Sequence, residues 1–202
     1  MNINDKLVLK LQENDRIIKN ENIENIILNS IEIPDVEWKN VNFINCNTIN
    51  SNMNDNSFDR VKFLNCNFSN TSFEKASLYE CKFENCKIEG CNFINSSIYN
   101  VSFKDTNANY INFSLASLKS VEFIDTSLVN SYFQENRIKN LLFKKANLKK
   151  ANFFKSNLTN VDLSDSNIEG IVVSLEDIKG AIINELQCID LSYLMGVKIK
   201  NS

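Results

Sequence analysis

Histidine is absent from the 202 residues, and with it go the commonest general base, the commonest metal ligand and every catalytic triad built on imidazole. Proline occurs once and glycine four times, too few for flexible linkers or a low-complexity tail. No apolar run approaches the length of a membrane span, and the segment Met1 to Leu11 is too short and too charged for a secretory signal. The expectation is a cytoplasmic protein that does not engage a membrane. Gly-rich phosphate loops and paired-cysteine metal spacings are missing too, and the carboxylates are scattered among Lys and Asn. The sequence therefore predicts no enzyme activity, no cofactor and no metal, so that surfaces rather than pockets carry function.

What is present in abundance is phenylalanine in strict order. Thirteen of the fourteen fall at residue numbers ending in 3 or 8, from Phe43 to Phe153, where chance would place about one in five. Of the 26 such positions between 43 and 168, all but Thr48 and Ala108 carry Phe, Leu, Ile or Met. Two residues earlier in each unit lies a column of small or β-branched residues, such as Ala76, Cys81, Cys86, Cys91, Ser96 and Val101. Each five-residue unit thus points two side chains inward and three outward. Neither a period of 3.6 nor a period of 2 keeps such a stripe on one side, so the chain must turn a corner once per unit.

Units such as Ala76-Ser-Leu-Tyr-Glu, Ala146-Asn-Leu-Lys-Lys and Ala151-Asn-Phe-Phe-Lys resemble those of pentapeptide-repeat proteins. The resemblance covers roughly residues 26–170, since Ile26/Leu28, Ile31/Ile33 and Val36/Trp38 already keep the phase. It implies an all-β fold, a right-handed quadrilateral β-helix with four units per coil. The residues support that count independently. One column recurs every twenty residues as Phe43, Phe63, Phe83, Phe103, Phe123 and Phe143, and another, ten residues away, as Phe73, Phe93, Phe113, Phe133 and Phe153. Those two occupy opposite sides of a square, with Leu78, Ile98, Leu118, Ile138 and Leu158 on a side between them. About seven coils at about 4.8 Å each predict one rod-shaped domain roughly 34 Å long.

The six cysteines fit the lattice: Cys46, Cys66 and Cys86 form one column, Cys81 and Cys91 also point inward, and Cys188 lies outside the repeats. They are expected as small packing residues, reduced in a reducing compartment. Both ends need caps, because an open coil exposes backbone edges. Residues 1–25 form an N-terminal cap segment, in which Leu7, Leu9 and Leu11 favour a strand while a short helix over 5–19 remains an alternative. Residues 171–202 form a C-terminal cap: a helical start at Ser174, a short strand at Ala181, a helix opened by Asn184 with Gln187 three residues on, a stop at Gly196 and a closing strand over Val197-Lys-Ile199. Leu186, Ile189, Tyr193 and Leu194 give that helix an apolar stripe. The tail is similar to those of Qnr-type quinolone-resistance proteins, where the helix can form a dimer contact, so a homodimer through the cap and a simple seal both stand as readings.

The Qnr-type resemblance also implies a partner, DNA gyrase or topoisomerase IV, met by an acidic rod that imitates duplex DNA. Residues 37–169 hold 14 acidic and 15 basic side chains, which departs from a uniformly acidic mimic. Asp55, Asp59, Glu74, Glu80, Glu84 and Glu89, in the earlier coils, are the candidate acidic face. Arg137, Lys139, Lys144, Lys145, Lys149, Lys150 and Lys155 make a basic belt around all four sides, whereas a nucleic-acid groove wants a stripe with aromatic interleaving, so direct nucleic-acid binding is disfavoured. Outward apolar residues are the second clue. Ile94, Tyr110, Leu115, Tyr132 and Phe154 cluster on or beside one side and mark a candidate surface for a protein partner, with Ile44/Leu64 and Tyr79/Tyr99 as smaller pairs. Two readings follow: a topoisomerase modulator, or an assembly scaffold with no topoisomerase contact.

Overall fold

A computed structural model describes residues 16–198 and residue 200. Its strands are short because each must end at a corner: β1 (Ile17–Lys19), β2 (Asn22–Glu24), β3 (Glu37–Lys39), β4 (Asn42–Ile44), β5 (Ser57–Asp59), β6 (Lys62–Leu64), β7 (Ser77–Tyr79) and β8 (Lys82–Glu84). From there on, β9 (Ser97–Lys104), β10 (Ser117–Ile124) and β11 (Arg137–Lys144) run continuously across one corner. Every pairing is parallel with a register of twenty residues, as in Trp38 on Phe58, Phe43 on Phe63 and Leu118 on Ile138. The remaining two sides are held by isolated bridges at the same offset, such as Asn47 to Asn67 and Asn112 to Tyr132.

Four sides follow, named here by their inward residues. The first carries Trp38, Phe58, Leu78, Ile98 and Leu118; the second carries Phe43 to Phe143; the third carries Thr48, Phe68, Ile88 and Ala108; the fourth carries Phe73 to Phe153. The phenylalanines of the second and fourth sides stack in register. Phe83 and Phe103 lie 4.8 Å apart at 15°, and Phe133 and Phe153 lie 4.7 Å apart at 4°. The two stacks also meet edge to face across the core, as in Phe113 against Phe103 and Phe123. Offset stacks along the rod and T-shaped contacts across it are the two arrangements aromatic quadrupoles favour.

The inward small column has a second role. Its hydroxyls and thiols donate to the carbonyl 23 residues earlier, one coil below: Thr126 Oγ1 to Phe103 O, Cys91 Sγ to Phe68 O and Cys81 Sγ to Phe58 O. Ser, Thr and Cys are thus chosen for size and for a hydrogen to give. All six cysteines are free, five buried and Cys188 exposed.

The coils begin before residue 26, since β1 and β2 already pair with β3 and β4, and Ile18 and Ile23 are buried. Of the cap segment expected over residues 1–25, residues 1–15 lie outside the described residues, as does Ile199 of the expected closing strand. Val197 and Lys198 belong to no strand. At the other end, α1 (Leu175–Ile178) starts at Ser174, which accepts from the Asp177 amide. Ile182 makes one bridge, to Asp162. The helix α2 (Glu185–Leu191) has the expected capping box between Asn184 and Gln187, and a 3-10 turn (Ser192–Met195) ends at Gly196 with φ 68°. Buried Gln187 does more than close its box: its Nε2 donates to Leu163 O at 2.7 Å and Ser166 O at 2.8 Å, occupying carbonyls that a further coil would otherwise take. No helix among the described residues is long and apolar enough to cross a membrane.

Candidate interaction surface

Every corner from Asn20 to Asn160 places its residue in the left-handed region, with φ between 47° and 64° at the non-glycine positions. Asn and Asp dominate these positions, because they tolerate that conformation best among residues with a Cβ. Some of the Asn also form ladders; Asn85 Nδ2 donates to Asn65 Oδ1 at 2.7 Å. Against that background two corners stand out. Tyr110 (φ 59°) and Leu115 (φ 63°) are the only aromatic and aliphatic side chains among the described non-glycine residues with positive φ. They flank the fourth side on one coil, at its two edges, and are 53% and 50% exposed. Bulky residues strained in this way, without burial in return, are the clearest sign of a surface kept for contact.

The rest of the set gathers around them. Tyr132, one coil above, bridges to Asn112 on the coil of Tyr110 and Leu115, Phe154 lies one coil further, and both aromatic residues are exposed. Ile94, one coil below, is half-buried. Lys155 reaches over the Phe154 ring at 5.7 Å and pairs with Glu135 at 3.4 Å. All five outward residues therefore share one side or its edges. The smaller pair Tyr79/Tyr99 lies on the first side, its rings stacked at 5.3 Å with Lys119 Nζ 4.7 Å from the Tyr99 ring, so each ring has one face engaged within the chain while both residues remain exposed. Ile44 and Leu64 line an open groove of about 220 Å³ on the second side.

The six candidate carboxylates do not share a side. Asp59 is on the first side, Glu84 on the second, Glu89 on the third and Glu74 on the fourth, while Asp55 and Glu80 sit at corners. Three are paired: Asp59 with Arg60 at 2.7 Å, Glu89 with Lys87 at 3.1 Å and Glu74 with Lys75 at 3.9 Å. The basic belt is likewise interrupted, by Lys149 paired with Glu169 and Lys155 with Glu135. In the cap, Leu191 is buried and Leu194 packs against the core, whereas Leu186, Ile189 and Tyr193 stay exposed; Tyr193 Oη donates to Ile171 O. The apolar stripe of that helix is thus divided between sealing the rod and facing solvent.

The sequence pattern exposes the outward apolar cluster but not its strain, which needs the corner geometry. One signal was available: the fifth position of each unit is rich in Asn and Asp, and Tyr110 and Leu115 break that pattern.

A parallel β-solenoid with inward aromatic stacks and a strained apolar patch on one side is the class these features define. Two family models match the chain, the pentapeptide repeat region at residues 36–113 and 56–133 and pentapeptide repeats (8 copies) at residues 139–170. The chain belongs to the pentapeptide-repeat family. No curated protein matches it. Among solved structures it is similar to a trypsin-treated form of QnrB1, a plasmid-mediated fluoroquinolone resistance protein, at 16% identity over 90% of this chain and 100% of that one, with a TM-score of 0.48. HetL, a pentapeptide repeat protein involved in heterocyst differentiation regulation from the cyanobacterium Nostoc sp. strain PCC 7120, is similar at 14% identity over 90% and 97%, with a TM-score of 0.39.

Proposed function

We propose that the protein is a rigid, non-enzymatic interaction scaffold whose fourth side, around Tyr110, Leu115, Tyr132 and Phe154, meets a protein partner. One observation carries this reading: Tyr110 and Leu115 hold a backbone conformation that Asn would adopt at lower cost, yet they remain about half exposed. Residues that lose conformational energy without burying themselves in the isolated chain are accounted for by burial in a complex. A rod held by coil-to-coil hydrogen bonds also presents that patch without reordering, which limits the entropy lost on binding.

The finer reading, a DNA mimic that modulates gyrase or topoisomerase IV, draws on the Qnr-type likeness. It needs a continuous acidic stripe, and the spread of the six carboxylates over four sides favours the scaffold instead. The exposed Leu186, Ile189 and Tyr193 leave the C-terminal cap as a second contact region for a homodimer.

A photocrosslinking residue at position 132, with position 79 on the first side as control, tests the scaffold reading in cells. A discrete adduct from position 132 alone is expected; equal labelling from both positions, or none, contradicts it. Supercoiling by purified gyrase over a titration of this protein, with and without a quinolone, tests the finer reading separately.

A further inference from the structure

Two apolar residues of the fourth side, Ile94 and Phe154, lie symmetrically about a point, with Tyr110, Leu115 and Tyr132 between them. Coil-to-coil bonds link Ile94, Ser114, Gln134 and Phe154 as one column, through the amides of Asn95, Leu115 and Glu135 donating to Ser114 O, Gln134 O and Phe154 O. Ile94 and Phe154 are therefore three coils apart in the same column. Their midpoint falls between the coil of Tyr110 and Leu115 and the coil of Tyr132.

We propose that the occupant of this side is a second copy of the chain, packed antiparallel about a two-fold axis that passes through that midpoint and runs along the strand direction. The inference rests on the reading of the fourth side as a contact surface and names what covers it. Such an axis reverses the order of the coils but sets each column against itself. Ile94 of one copy then faces Phe154 of the other, and the same contact repeats on the far side of the axis, as an isologous interface requires. Tyr132 faces Asn112 between Tyr110 and Leu115, so the two tyrosine-bearing coils interleave at the centre. Leu115 faces Glu135, whose carboxylate is already drawn off by Lys155.

Charge supports the same orientation. At the rim the axis sets Glu89, which pairs with Lys87 of its own chain, opposite Lys149, which pairs with Glu169, and no like charges are set directly opposite each other along the patch. The other two-fold, along the rod, exchanges columns within a coil. It would bring Tyr110 against Leu115, but it would also set Lys150 against Lys155 and leave Phe154 facing Asn152, so like charges meet at the rim and the ring of Phe154 finds no apolar partner. A contact four coils tall spans only about 19 Å along the rod. That is modest beside the roughly 800 Å² per partner of a standard interface, so association in the micromolar range is expected.

The test is the molar mass of the full chain by sedimentation and light scattering, from about 1 to about 200 µM, a span that brackets micromolar dissociation constants. The wild type should move from 23.2 kDa towards twice that value. Phe154→Lys and Tyr132→Asp, both at exposed positions that leave the core intact, should stay monomeric, with association weakened at least about tenfold. A Leu186→Lys/Ile189→Lys variant of the cap helix should associate like the wild type. Orientation is read from a pair of cysteines, Ile94→Cys with Phe154→Cys in a Cys188→Ser background: oxidation should join two chains covalently in the double variant and in neither single one. A wild type that stays monomeric overturns the homodimer; if position 132 still crosslinks another protein, the contact-surface reading survives that loss, and if it does not, both fall. A dimer lost in the cap-helix variant but kept in Phe154→Lys moves the interface to the C-terminal cap and overturns the proposal.

Discussion

The indole N–H of Trp38 donates to Asn56 Oδ1 at 2.7 Å, with both side chains withdrawn from solvent on adjacent coils. Asn56 occupies the inward small column, where the following coils have Ala76, Ser96 and Ala116, and it is tolerated because its polar atoms are all used. Its Nδ2 donates to Ile33 O at 2.7 Å and to Asn54 O at 3.2 Å. Trp38 and Asn56 therefore act as one unit. Asn56→Ala should destabilise by about 2 kcal/mol, because the indole N–H is left buried and unpaired. Trp38→Phe combined with Asn56→Ala should cost clearly less than the two single effects added. Urea unfolding of the four proteins gives the coupling.

Thr48 is the polar exception on the lattice, 3% exposed, and its hydroxyl has no hydrogen-bond partner. Thr48→Val keeps the shape and removes an unsatisfied group. The expected outcome is stabilisation by about 1 kcal/mol and a higher Tm. A lower Tm would show that the hydroxyl is satisfied in solution.

Burial of the inward thiols ties stability to alkaline pH. Burial pushes the Cys81 thiol up to about 12, and Cys66, hydrogen-bonded within its column, also lies at about 12. The unfolded chain loses these protons near pH 8.5, so the folded form holds more protons than the unfolded one above that value. Stability is then fully present below about pH 8.5 and falls as the pH rises towards 12, by up to about 1.4 kcal/mol per pH unit for Cys81 alone. Chemical denaturation between pH 8 and 11 checks the slope, and Cys81→Ala should reduce it, leaving the part that Cys66 contributes. In the native state near neutral pH a thiol reagent should titrate Cys188 alone among the described cysteines.

Tyr110→Asn and Leu115→Asn replace strained corners by the residue those corners favour. Each should raise stability by about 1 kcal/mol while weakening whatever contact the fourth side makes. Thermal melts supply the first half of that expectation, and association measurements the second. A loss of stability would mean the two side chains are better packed than their exposure indicates.

Most of the fold was legible because inward and outward residues obey one arithmetic. A five-residue unit with Phe at its centre cannot be mistaken for a helix or a flat strand, and the twenty-residue columns from Phe43 and Phe73 fix four units per coil. The cap was partly legible, since Asn184 and Gln187 mark a helix start by local chemistry. That Gln187 would also take the last coil's carbonyls depends on where the helix lands, which spacing does not encode. For the same reason the six carboxylates looked like one face when counted along the chain, although successive units turn by a quarter of the square and scatter them. Val197 and Ile199 alternate like a strand, but alternation in two residues carries little information against the 3-10 turn and Gly196 just before them.

Hydroxyl-radical footprinting of the full chain at low and high protein concentration tests the claim about the fourth side most directly. Tyr132 there and Tyr79 on the first side are both 42% exposed, so the isolated chain should label them alike. As concentration rises, Tyr110, Tyr132 and Phe154 should become protected together while Tyr79 and Tyr99 keep their reactivity. Labelling of Tyr132 that tracks Tyr79 at every concentration would contradict self-association through the fourth side.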